Sequence, residues 1–244
     1  DAFTLAQMEK RGLEPSARAG SAELLRKLSF DITGLPPTIE ELDAFEKANT
    51  KDPKAAWKAE IDRLLASPAY GERWTSVWMD LARYADSEGL GADSKRDVWP
   101  YRDWLIRAYN EDMPYDQFTI KQLAGDLLEK PSYDDRIATV FHRLSQANAE
   151  GGTDDEEFRV AAAMDRVSTT WEVWQGQTFA CVQCHSHPYD TIQHDEYYKF
   201  LAFFNNDKDN DVSGHYPTLR VPNNLQDYAE ADKRLSNLNK AQDS

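Results

Sequence analysis

Both cysteines of the chain fall in one five-residue phrase, Cys181-Val182-Gln183-Cys184-His185, followed at once by Ser186-His187-Pro188. Cys-x-x-Cys-His is the pattern that fastens c-type haem: the two thiols become thioethers on the porphyrin vinyls and the adjoining imidazole reaches the iron. Two cysteines and a histidine would take these positions by accident on the order of one time in several thousand. In that chemistry Cys181 and Cys184 make the covalent bonds and His185 is the proximal iron ligand through one ring nitrogen. Its other nitrogen is then expected to donate to a carbonyl or carboxylate, which fixes the tautomer.

The remaining candidates follow from what a haem iron needs next. His187 lies two residues from His185, too near to reach around the porphyrin, and is expected to bond a haem propionate or to anchor a loop. The opposite axial position would take a methionine, which raises the potential, or a histidine, which gives a bis-imidazole centre. His142 and Met164 are the first candidates, each on a segment with an apolar stripe; His194 and His215 are alternatives. A vacant position would permit ligand binding and peroxide chemistry, so a haem enzyme is the alternative to an electron carrier.

Other uses of these residue types explain less. Cys181, Cys184, His187 and His194 have the chemistry of a tetrahedral zinc site in a haem-free structural domain, but the spacing is uncommon and leaves His185 without a task. A thioredoxin-like cysteine pair needs a βαβ context that the pattern lacks. Asp207, Asp209 and Asp211 alternate like calcium ligands, yet Val212 stands where a calcium loop needs glycine and Thr218 where it needs glutamate.

Composition bounds the partners. A formal charge of -15 and a pI near 4.7 argue against nucleic acid, whose binding depends on cationic side chains displacing counterions, and against an anionic membrane surface. The acidity keeps the chain soluble and would suit a basic partner. No apolar run approaches the roughly 18 residues that cross a bilayer, so no membrane insertion of this segment is expected. The chain begins at Asp1 without methionine and shows no secretion signal, and it reads as a processed piece of something longer. Haem is attached covalently outside the bacterial cytoplasmic membrane, so the haem reading implies a periplasmic or otherwise exported protein.

The segments that must position the motif prefer the period of a helix throughout. A short opening helix from Phe3 stops at Gly12, and Ser21 is the expected cap of a stretch with Leu24, Leu25, Leu28 and Ile32 at helical spacing. Thr38 with Glu41 forms a capping box, and Asp52-Pro53 starts a helix striped by Trp57, Ile61, Leu64 and Leu65. Trp74, Val77, Trp78, Leu81 and Tyr84 make a heavy aromatic stripe, with a glycine-containing loop from Ser87 to Lys95. Tyr101, Trp104, Leu105 and Ala108; then Ile120, Leu123, Ala124 and Leu127; then Ile137, Val140, Phe141 and Leu144 continue the series. After Glu150-Gly151-Gly152, Thr153 and Glu156 read as a capping box. They open a helix whose ridge of Val160, Met164, Val167, Trp171 and Trp174 runs to Gly176, just ahead of the cysteines. Asp195 is the expected cap of a helix carrying Tyr197, Phe200, Leu201 and Phe204. No strand pattern competes. The expectation is an all-α, irregular multi-helix domain around a c-type haem site, with no substantial sheet. Residues 1–206 form that domain; residues 207–244 form a polar loop and a last helix, from about Leu225 to Lys240, leading to a further domain.

A likeness gathers over these phrases. Leu28-Ser-Phe-Asp-Ile-Thr-Gly-Leu-Pro-Pro37, Tyr70-Gly-Glu-Arg-Trp74, Asp80-Leu-Ala-Arg-Tyr-Ala-Asp86, Tyr101-Arg-Asp-Trp104, Met113-Pro-Tyr-Asp116, Gln122-Leu-Ala-Gly-Asp126, Glu150-Gly-Gly152 and Cys181-x-x-Cys-His-x-His187 follow one another in order. From roughly Phe3 to Asn206 the chain resembles the planctomycete-type cytochrome c domain family of large exported proteins of planctomycetes, verrucomicrobia and relatives. The resemblance implies one covalent haem c and, as partners, other domains of the same larger protein or a redox partner. The family often has aspartate and lysine around the second histidine, where this chain has Ser186 and Pro188. Single-electron transfer is the function expected.

Overall fold

The computed structural model describes residues 1–148, 151–206, 217–222, 230, 232–234 and 237. Among them it has ten α-helices, three 3₁₀ segments and no strand; two isolated bridges, Ser87 to Lys95 and Gly89 to Ala147, are the only extended pairing. The all-α expectation holds. Asp207, Asp209, Asp211 and His215 lie outside the described residues, as does most of the expected last helix. The chain divides into two compact units, Asp1–Arg73 and Trp74–Ser244. The sequence reading placed no boundary there, because no linker marks one and the division falls inside a helix.

The first unit contains α1 (Ala2–Lys10), α2 (Ser21–Thr33), α3 (Ile39–Lys51), α4 (Pro53–Leu65) and the start of α5 (Pro68–Ala82). Helix starts follow their local chemistry. Thr38 Oγ1 accepts the Glu41 amide while Glu41 returns a carboxylate to the Thr38 amide, and Asp52 Oδ1 accepts the Ala55 amide ahead of Pro53. Ser21 is the first helical residue of α2, not its cap; the Gly20 amide is taken by the Glu23 carboxylate. The core is small: Leu25, Phe45 and Ala56, with Leu28, Leu42 and Trp57 against them and Phe45 meeting Trp57 edge to face at 4.7 Å.

The second unit carries the motif. It adds α6 (Trp99–Asn110), α7 (Tyr115–Ala124), α8 (Tyr133–Ala138), α9 (Asp155–Gln175) and α10 (His194–Leu201), with 3₁₀ segments at Gly125–Leu127, Thr139–Arg143 and Ala180–Gln183. Its larger core joins Trp78, Tyr101, Trp104, Leu105, Phe118, Ile137, Phe141 and Leu144. At its centre Tyr101 Oη donates to Gln122 Oε1 at 2.6 Å and Trp78 Nε1 donates to the same oxygen at 2.9 Å, so three buried polar groups satisfy one another. Of the expected stripe only Trp78 is buried and Tyr84 is partly so, while Ala82, outside the stripe, goes inside; Trp74, Val77 and Leu81 stay more than a third exposed.

α9 is the structural spine of this unit. Asp154, one residue after the expected Thr153, is its N-cap and accepts the Glu156 and Glu157 amides. Its apolar ridge is present, but Ser168, Thr169, Thr170 and Arg166 are buried as well. The three hydroxyls can be buried because each bonds the carbonyl four residues back, and Arg166 Nε donates to the His142 carbonyl at 2.7 Å. Gly176, at φ 64°, ends the helix in the left-handed conformation.

Candidate functional site

Past Gly176 the chain turns back onto α9 and buries Phe179 and Val182 with Val167 and Tyr197 in a second cluster. Trp171, Cys181, Ile192, Phe200, Leu201 and Phe204 pack around it. Phe179 stacks flat on Trp171 with ring centroids 4.3 Å apart. This packing positions the motif: Val182 is the inward residue of the 3₁₀ turn Ala180–Gln183, Cys181 is half-buried beside it, and Cys184 and His185 are exposed. The turn is pinned to α10 by its carbonyls. His194 Nδ1 lies 2.8 Å from the Val182 oxygen, and Tyr198 Oη donates to the Gln183 oxygen at 2.9 Å. α10 begins at His194, not at an Asp195 cap; the Ser186 hydroxyl accepts the His194 amide and Glu196 accepts that of Gln193.

The titratable groups have distinct roles. Both thiols are free, with the Cys181 Sγ 3.4 Å from the Thr178 carbonyl. His185 Nδ1 is 2.8 Å from the Ser186 carbonyl oxygen. A carbonyl only accepts, so Nδ1 carries a proton, and in the neutral tautomer Nε2 has the lone pair, on an exposed residue. His187 is the reverse: its Nδ1 accepts the Asp190 amide at 2.9 Å and the Tyr189 amide at 3.3 Å, and its own amide donates to the Ile192 carbonyl. With its side chain only 8% exposed, His187 is the internal cap of the loop 187–192, the loop-anchoring role of the two expected for it. Asp190 Oδ2 lies 3.3 Å from the same Nδ1.

The candidate distal ligands, His142 and Met164, have these surroundings. His142 sits in the 3₁₀ segment Thr139–Arg143 with its ring between Phe141, at 5.2 Å, and Phe204, at 5.0 Å. Phe204 and Phe200 pack on the cluster around the motif, so His142 borders that cluster through Phe204. Both His142 ring nitrogens are buried, and neither makes a well-formed hydrogen bond; the Leu123 backbone gives the ring a weaker polar contact. Burial, reinforced by the Arg166 charge and only weakly opposed by the Leu123 backbone, holds its pKa down at about 3. Met164 is half-buried on α9, and its carbonyl accepts from Tyr197 Oη and Ser168 Oγ. Among the described residues no three His, Cys, Asp or Glu side chains gather as a metal would need, so Cys181, Cys184, His187 and His194 do not form the tetrahedral zinc set considered above.

The donor set fits a covalent haem: two unpaired thiols three residues apart, followed by an exposed imidazole whose Nδ1 is held by a carbonyl, leaving Nε2 as the ligating nitrogen of the neutral ring. Two further polar atoms near the motif are buried without partners, Trp171 Nε1 and Gln177 Oε1, and periodicity marks neither, since a tryptophan in a ridge reads as core. A family model described as PSCyt2, protein of unknown function (DUF1549), matches residues 1–209. The chain belongs to the PSCyt2 family. The match covers the first unit and the second as far as residue 209, so in this PSCyt2 chain the Cys181–His187 phrase lies within the matched span. No curated protein and no solved structure matches the chain. No helix among the described residues is long and apolar enough to cross a membrane.

Proposed function

We propose that this PSCyt2 domain carries one covalent haem c and passes single electrons within a larger exported protein. The observation that supports this best is the fixed tautomer of His185, whose Nδ1 is held by the Ser186 carbonyl at 2.8 Å beside two unpaired cysteines. When bound, the haem iron supplies a one-electron ferric–ferrous couple. Cys181 and Cys184 would hold the porphyrin, each thiol adding across a vinyl so that sulfur and proton go to neighbouring carbons. His185 Nε2 would hold the iron, with the Ser186 carbonyl orienting the ring and raising its basicity. Phe179, Val182 and Tyr197 exclude water from the inner side of the turn. The partners are other domains of the same protein or a redox protein, and a chain of charge -15 suits a cationic one.

The test is the pyridine haemochrome spectrum of the exported protein together with its intact mass. One haem added per chain, lost in a Cys181→Ala/Cys184→Ala variant, is the expected result; a chain that weighs only its amino acids and has no visible absorbance ends the proposal. The haem-enzyme alternative shares the attachment and differs in requiring an open coordination position, which fast cyanide binding would reveal.

A further inference from the structure

The turn that carries the cysteines is too short to hold itself. Ala180–Gln183 is a single 3₁₀ turn of four residues, closed by the Val182 amide on the Phe179 carbonyl at 3.0 Å and by the Cys184 amide on the Cys181 carbonyl at 3.3 Å. A turn of that length leaves its last carbonyls without partners of its own. Both are met by side chains of α10. His194 Nδ1 faces the Val182 carbonyl at 2.8 Å, and because a carbonyl only accepts, the ring donates there; Tyr198 Oη donates to the Gln183 carbonyl at 2.9 Å. The two rings meet edge to face at 5.2 Å, so each steadies the other. α10 is itself fixed to α9 by Tyr197, which is fully buried against Phe179 and donates to the Met164 carbonyl at 3.3 Å. One residue carries this order to the proximal ring: Ser186 accepts the His194 amide on its hydroxyl at 3.1 Å and holds His185 Nδ1 on its carbonyl at 2.8 Å.

We propose that His194 and Tyr198 are positioning residues of the haem centre, clamping the two carbonyls between the cysteines so that the turn presents Cys181, Cys184 and His185 in one fixed arrangement; the assignment rests on the haem reading above. His194 then acts through the backbone and the Ser186 carbonyl, not on a metal ion. A firm Nδ1–H···O bond makes the imidazole a stronger donor to the iron and favours the ferric state. Loosening the clamp weakens that bond and moves the couple toward the ferrous side.

The experiment uses exported, haem-loaded protein, its haem confirmed by intact mass, and compares wild type with Tyr198→Phe and His194→Leu. Thr119→Val, which takes the acceptor from Trp174 Nε1 in the larger core, controls for general loosening. Amide hydrogen exchange at Val182 reports the order of the turn; the midpoint potential and the ferric electron paramagnetic resonance spectrum report His185. In both clamp variants Val182 exchange should quicken about threefold or more, the loss of one neutral hydrogen bond. The ferric-to-ferrous ratio at a fixed applied potential should fall about threefold, a rise of about 28 mV in midpoint potential at 59 mV per tenfold, with a change in the ferric spectrum. Thr119→Val should keep the wild-type potential and spectrum. If His194→Leu does not fold, Tyr198→Phe alone decides. An unchanged potential and spectrum in the clamp variants, whether or not exchange quickens, makes α10 a structural support only and overturns the assignment, as does a control that shifts the potential as far as they do; the haem reading stands in either case. Absence of haem by mass in the wild type ends both, and the mass measurement alone identifies that case.

Discussion

His142 makes the protein's acid stability predictable. Its imidazole is enclosed between Phe141 and Phe204 with neither nitrogen in a well-formed hydrogen bond, beside the Arg166 charge, and its pKa falls from 6.5 to about 3. Between those values the unfolded chain takes up a proton that the folded chain refuses. Its neutral ring therefore costs nothing in proton linkage above about pH 6.5, and stability is lost progressively as pH falls from there towards 3. At pH 5 the gap is about 1.5 pH units, or about 2 kcal/mol at 1.36 kcal/mol per unit. His142→Phe keeps an aromatic ring in the gap and removes the titration. Buried carboxylates titrate in both proteins, so the difference between them isolates His142. Urea unfolding followed by tryptophan fluorescence reports mainly on the second unit, which holds every tryptophan except Trp57. The expected result is that the stability gap between variant and wild type widens by about 2 kcal/mol in the variant's favour from pH 7.5 to pH 5. A gap independent of pH would refute the reasoning.

Substitutions at two further positions test the packing of the second unit. Gly125→Ala would place its Cβ 2.1 Å from the Asp135 carbonyl oxygen, a backbone atom that cannot step aside, so a loss of about 3 kcal/mol or failure to fold is expected in thermal unfolding. Arg83 sits at φ 57° and forks onto Asp165 at 2.8 and 2.6 Å. Arg83→Ala loses the fork and keeps the strain, so Arg83→Gly should be the more stable of the two by about 1 kcal/mol in urea titrations, and the reverse order would show that the strain is unimportant.

Much of the site was legible because its signals are local. The Cys181–His185 spacing, the capping box at Thr38, the Asp52-Pro53 start and the Gly176 stop depend on atoms a few residues apart, which is why they survive folding nearly as read. The His187 loop was half legible: its shortness excluded a distal ligand, but only the fold shows its Nδ1 accepting the Tyr189 and Asp190 amides. Cap positions at Gly20, Asp154 and Gln193 each differ from the expected residue by one or two, because neighbouring polar side chains compete for the same amides.

The sequence alone determined the helical class, the acidic surface and the pairing of two thiols with an imidazole, since each depends on residue type and near spacing. Tertiary structure decided which faces are inside. Helical period groups Trp74, Val77 and Leu81 with Trp78, yet only Trp78 finds buried partners, in Tyr101 and Gln122 far along the chain. Arg166 can be buried because the His142 carbonyl, 24 residues away, meets it. Long-range partners of this kind leave no trace in local pattern, and the same physics sets His142 against Phe204 and leaves the Trp171 N–H unpaired.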